Sequence, residues 1–138
     1  MQVIFYRAKS GSWADKAIAL WTHGGFSHCE ILLDNGNMVS ASQRENRVRE
    51  KPHKYNPKKW EYVDLNYDYE QTQKVEEFLS AHMGNKYDWV GISGFVLPIK
   101  QAKSKWFCSE LCAAALGFKN PDKISPNKLY KLLKEREQ

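Results

Sequence analysis

The chain has 138 residues, 42% of them apolar and 27% charged, an ordinary globular usage that excludes disordered and fibrous classes. At 16.1 kDa it has the size of one domain with one core, since single domains run roughly 50 to 200 residues. The formal net charge of +5 comes from 21 Lys+Arg against 16 Asp+Glu, and residues 44–59, with seven basic and two acidic side chains, carry the whole excess.

In chain order, the start lacks a basic segment followed by an apolar run, so no export signal is expected. Residues 3–6, β-branched and aromatic, predict a strand. Ser12 is placed to cap a helix over 14–21, which Gly24 and Gly25 would end. Residues 26–33 predict a strand, Asp34-Asn35-Gly36 a turn, and 37–42 its hairpin partner. The basic segment 44–59 is of a kind that meets phosphate or an anionic surface. It shows no helical or groove-like spacing, however, and reads as a solvated, lysine-rich loop. A strand follows at 60–65. A helix over 69–83 carries Val75, Phe78, Leu79 and His82 at three and four spacing, and Gly84 stops it. The longest candidate for a membrane span, 89–99, falls short of the roughly 18 to 20 residues needed and is broken by Gly91, Ser93, Gly94 and Pro98. Further helices are expected over 106–116 and from Pro126, behind the cap Ser125. Helices and strands segregate rather than alternate strictly, which predicts α+β: one domain over 1–138, an antiparallel sheet packed against helices. Three cysteines are too few for a disulfide scaffold, so free thiols and a cytoplasmic setting are expected.

Loop length decides which hairpin side chains share a face. A two-residue loop, Asn35-Gly36, sets His28 opposite Gln43 and mixes polar with apolar on both faces. A three-residue loop, Asp34 to Gly36, sets His28 opposite Ser42 and Glu30 opposite Ser40. Cys29, Ile31, Leu33, Val39 and Ala41 then form one apolar face, and His28, Glu30, Ser40 and Ser42 the other. The longer loop, with Gly36 in the left-handed position, is the expected register. The polar face so formed is either a solvated sheet surface or a site.

In Trp106-Phe107-Cys108-Ser109-Glu110-Leu111-Cys112, helical spacing puts Cys108, Leu111, Cys112, Ala115 and Leu116 on one stripe. Cys108 falls in the first turn, where unpaired N–H groups and the helix dipole favour a thiolate. It reads either as a nucleophile or as a small packing residue. Cys112, one turn deeper, and Cys29, directed into the core, read as packing residues. Neighbours on a strand face opposite ways, so His28 and Cys29 are not expected to reach one metal ion, and no convincing zinc set remains.

Together, Phe26-Ser27-His28-Cys29-Glu30-Ile31, Trp106-Phe107-Cys108-Ser109-Glu110-Leu111 and Gly84-Asn85-Lys86-Tyr87-Asp88-Trp89 resemble a known family. They are similar to the circularly permuted NlpC-type papain-like cysteine amidases, the YaeF/YiiX-like group, with lecithin:retinol acyltransferase-like enzymes as relatives. In that group a histidine opens a strand and the cysteine follows late, opening a helix, the reverse of the ordinary papain-like order. The resemblance spans about residues 1–118. It implies a permuted papain-like core, with Cys108 as nucleophile and His28 as base. The family's third polar residue, often histidine, falls here on Ser40, whose hydroxyl orients an imidazole less strongly. Glu30, on the same face as His28, is the better orienter, with Ser40 second.

The expected chemistry is thiolate attack on an amide carbonyl, an oxyanion held by the Cys108 N–H and a nearby donor, and protonation of the leaving amine by His28. No metal or organic cofactor is required. Tyr87 is a candidate to line the cleft as a hydroxyl donor for substrate, or else a packing tyrosine. Glu110 reads as a first-turn carboxylate matched to the helix dipole. His23, His53 and His82 carry no expected role. The resemblance implies a cell-wall peptide, or a lipid or amino-acid conjugate, as substrate, although the missing export signal argues against a secreted wall enzyme. A thiol acyltransferase or thioesterase with the same residues is a second reading, favoured by an apolar cleft around Trp89, Phe95, Val96 and Leu97. The third is a non-catalytic module binding nucleic acid through Arg44–Lys59. On the first two readings the partner is a small-molecule or peptide substrate, with no obligatory nucleic acid and no transmembrane segment.

Overall fold

A computed structural model describes residues 1–10, 24–88 and 105–136. The helix expected over 14–21, His23, and the apolar group Trp89, Phe95, Val96 and Leu97 lie outside these residues. Strands β1 (Gln2–Arg7), β2 (Phe26–Leu32), β3 (Asn37–Ser42), β4 (Arg47–Pro52) and β5 (Trp60–Asp64) are joined by two short ones, β6 (Lys86–Tyr87) and β7 (Lys105–Trp106). They form a seven-stranded sheet in the order β5-β1-β2-β3-β4-β6-β7, antiparallel except for β6 beside β7. Helices α1 (Tyr69–His82), α2 (Cys108–Ala115) and α3 (Pro126–Arg136) complete a single small α+β domain. Among the described residues no helix is long and apolar enough to cross a membrane.

Two expectations are corrected. Residues 47–52 are a strand rather than part of a solvated loop, because Val48 faces the core while Arg47, Arg49 and Lys51 alternate onto the other face. Trp106 belongs to β7, so the cysteine helix starts at Cys108 itself.

Helix ends follow local chemistry. Asp68 accepts from the Gln71 N–H at 2.8 Å while the Gln71 side chain accepts from the Asp68 N–H at 3.0 Å, a reciprocal cap that starts α1. Gly84, at φ 83°, ends it in the left-handed region. Ser125 accepts from the Lys128 N–H at 3.2 Å ahead of Pro126. The core lies between the helices and one sheet face: Val3, Phe5, Cys29, Ile31, Val39, Ala41 and Val48 meet Val75 and Leu79 of α1, Leu111 and Cys112 of α2, and Leu129 and Leu133 of α3. The Asn127 side chain acts as a strand partner for Phe26, bonding its N–H and its carbonyl at 2.9 Å each, and so fixes the start of β2.

The hairpin takes the three-residue loop. The Leu33 N–H bonds the Asn37 carbonyl at 2.8 Å, and Ile31 pairs with Val39. Gly36 sits at φ 85°, a conformation that costs an L-residue about 1 kcal/mol or more. Gly36→Ala should therefore lower stability by about 1 kcal/mol, read as a lower urea midpoint at unchanged slope.

This ladder then stops. β2 and β3 pair only at Ile31–Val39 and Leu32–Met38. In this register Cys29 turns its N–H and carbonyl toward β3, and buried backbone groups need partners. The carbonyl accepts from the Ser40 hydroxyl at 2.8 Å and from the Cys112 thiol at 3.8 Å. The Cys29 backbone also lies close enough to Cys108 to help lower its pKa. The first residue of α2 thus occupies a split in the sheet.

Candidate active site

That split explains how a thiol on the helical side reaches an imidazole on the other face. Cys108, 5% exposed, lies within reach of both the His28 ring and the Cys29 side chain, and both lower its pKa. The alternation holds, with His28 on the cleft face and Cys29 in the core, and Cys108 meets both because the strands part beside it. The N-terminal position of Cys108 in α2 adds the favourable end of the helix dipole.

His28 Nε2 lies 3.0 Å from Glu30 Oε1. Glu30, its side chain 2% exposed, is gripped from across the sheet by Arg49: Nη1 donates to Oε2 at 2.6 Å and Nη2 to Oε1 at 2.9 Å. Arg49 reaches over Ser40, its direct pairing partner on β3, and its Nε meets Glu45 at 3.3 Å. Such a two-pronged arginine fixes the plane of the carboxylate, and hence of the ring it holds.

The charges follow from these contacts. Hydrogen bonding from the Cys29 thiol holds the Cys108 pKa well below its ordinary value; burial opposes this, and the His28 charge and hydrogen bonding reinforce it. Burial works against a charged His28, but the Cys108 charge and the bonds to Cys108 and Glu30 outweigh it and raise the ring to about 10. Burial likewise opposes ionisation of Glu30, and Arg49 and His28 overcome it, lowering the carboxyl to about 2. Burial, with the other two thiols, pushes Cys29 well up, so it stays a thiol able to donate. These contacts favour a thiolate–imidazolium pair braced by a carboxylate and a guanidinium. No protein-family model matches this chain, and no curated protein is detectably similar to it. What the site does must come from its own geometry.

On the His28 face the sheet opens into a cleft of about 140 Å³. Register places Trp60, Tyr6 and His28 in one row across β5, β1 and β2. Trp60 meets Tyr6 edge-on at 5.1 Å, His53 at 5.5 Å and His28 at 6.5 Å, making the aromatic wall.

The remaining candidates are engaged in other contacts. Ser40 is fully buried with its hydroxyl on the Cys29 carbonyl, so the group at the His28 ring is Glu30. Tyr87 is packed in the core, where its hydroxyl accepts from Gln43 at 3.1 Å, and Gln43 rather than Tyr87 lines the cleft. Glu110 is buried and accepts from the Phe107 N–H at 3.4 Å, closing the start of α2. Burial, aided by Asp88 and Asp122, raises it to about 7. Sequence reading missed Arg49, whose only signal was its place in the alternation Arg47, Arg49, Lys51. It also missed the Cys29 thiol as a donor to Cys108, and Trp60.

Proposed function

We propose that the chain is a cysteine-dependent hydrolase that cleaves an amide through an acyl-enzyme on Cys108, with a permuted papain-like order in which histidine precedes cysteine. The observation that carries this reading is the Cys108–His28–Glu30–Arg49 chain: a lowered thiol beside an imidazole whose Nε2 is anchored by a buried carboxylate. A thiolate poised near neutral pH, with a base held in one orientation, is the recurring form of an activated nucleophile.

The Cys108 sulfur attacks the carbonyl carbon, forming the C–S bond as the carbonyl electrons move to oxygen. The oxyanion accepts from the Cys108 backbone N–H, one of the first-turn groups with no partner within the helix. The tetrahedral centre collapses as the C–N bond breaks, and imidazolium His28 gives its proton to the departing amine. Neutral His28 then takes a proton from water, the resulting hydroxide displaces sulfur, and the acid leaves. Glu30 keeps the ring aligned and stabilises its charged form.

Iodoacetamide at about pH 5.5 should alkylate Cys108 and leave Cys29 and Cys112 unmodified, as a lowered thiol pKa requires. p-Nitrophenyl acetate should leave an acetyl group on the same cysteine, detected by peptide mass, and none in Cys108→Ala. Equal labelling of all three thiols, or no acetyl adduct on Cys108, overturns the reading.

A further inference from the structure

The basic segment has no part in the chemistry above, yet it supplies a wall of the cleft. Arg44, from the turn before β4, and Lys51, at the far end of β4, line the cleft together with His28, Glu30 and Trp60. Charge within it is unevenly spent. Glu30 is matched by Arg49, and imidazolium His28 by the Cys108 thiolate. Glu45, the second partner of Arg49, is not among the lining residues. Neither Arg44 nor Lys51 has an ion-pair partner among the described residues. Two exposed cations are thus left over at a concave site whose other wall is the Trp60 ring. A cleft lined by one sign of charge concentrates ligands of the opposite sign.

We propose that this cleft selects an acyl substrate bearing an anionic group, carboxylate or phosphate, which Arg44 and Lys51 hold beside the Trp60 face. The inference rests on Cys108 being the nucleophile and adds the class of compound presented to it. A neutral or cationic substrate would leave both cations unanswered.

Iodoacetate and iodoacetamide provide the test, since they deliver nearly the same group to the same sulfur and differ by one negative charge. Their rate ratio at Cys108, measured at low ionic strength, should exceed that at free cysteine and fall about tenfold in Arg44→Gln/Lys51→Gln. It should fall further in Arg44→Glu/Lys51→Glu, and toward the variant value as salt is raised. Protection of Cys108 by succinate more than by inorganic phosphate marks a carboxylate substrate, and the reverse order a phosphate-bearing one. A ratio that the charge variants leave unchanged, with Cys108 still labelled by iodoacetamide, overturns this proposal alone. If neither reagent labels Cys108, the nucleophile reading falls and takes this one with it.

Discussion

Glu30→Ala should cost about 3 to 5 kcal/mol of folding stability, because it leaves a buried guanidinium without its main partner. The carboxylate holds both Arg49 nitrogens and the His28 ring, and Arg49 itself is only 7% exposed. Glu45, at 3.3 Å from Nε and 38% exposed, recovers only part of the loss. Small domains have only about 5 to 15 kcal/mol of stability, so the urea midpoint should fall by a large fraction. Replacing the pair together, Glu30→Leu with Arg49→Met, should restore much of it, since apolar residues of similar volume are often as stable there as an ion pair. The doubly substituted protein should fold but lose Cys108 reactivity at mildly acidic pH, which separates bracing the ring from holding the sheet. A cost under about 1 kcal/mol for Glu30→Ala would mean that the pair is effectively solvated.

The same pair predicts an acid limb. Glu30 titrates at about 2 when folded, against an ordinary value of 4.5. Between those values the unfolded chain binds the proton that the folded one refuses, so the contribution is complete above about pH 4.5 and disappears as pH falls toward 2. One pKa unit is worth about 1.4 kcal/mol, which makes the full contribution roughly 3 kcal/mol. The stability gap between wild type and Glu30→Gln should shrink steadily over that interval, and a flat difference would refute the coupling.

Local chemistry made much of this molecule readable. Asp34-Asn35-Gly36 determined the hairpin register, because only a three-residue loop sorts Cys29, Ile31, Val39 and Ala41 to one side. Gly84 and Ser125 marked helix ends through backbone requirements that act within a few residues. Arg49 was hidden for the opposite reason. Its partner, Glu30, lies 19 residues away and two strands over, and a lone arginine in a basic run looks like any solvated one. The split between β2 and β3 was hidden too, since Phe26-Ser27-His28-Cys29 continues the strand pattern without interruption. The Ser40 hydroxyl and α2, arriving from far along the chain, give the Cys29 backbone its other partners. Strand alternation placed Cys29 in the core, where it is fully buried, but could not show that its thiol lies beside the sulfur that His28 meets. The register was local and legible; the contacts that charge the site were not.

The largest kinetic effect should come from His28→Ala, followed as alkylation of Cys108 by iodoacetamide across pH. In the wild type the Cys29 hydrogen bond and the His28 charge keep the sulfur ionised well below the ordinary thiol range, so the rate should hold a plateau through mildly acidic pH. Removing the ring deletes the cation while burial, which favours the neutral thiol, remains. The midpoint should climb to the ordinary thiol range or above, and each unit of climb costs tenfold in thiolate at a fixed lower pH. At about pH 6 the rate should fall on the order of 100- to 1000-fold, recovering as pH is raised. Glu30→Gln, which keeps the ring but removes the charge bracing it, should move the midpoint part of the way. Amide cleavage adds a second limb, because the departing amine needs the proton on His28. Cleavage should decline as pH passes about 10, where the ring loses that proton, whereas alkylation, which needs no acid, should not. A wild-type alkylation midpoint already in the ordinary thiol range, and unmoved by His28→Ala, would dissolve the ion pair and the mechanism built on it.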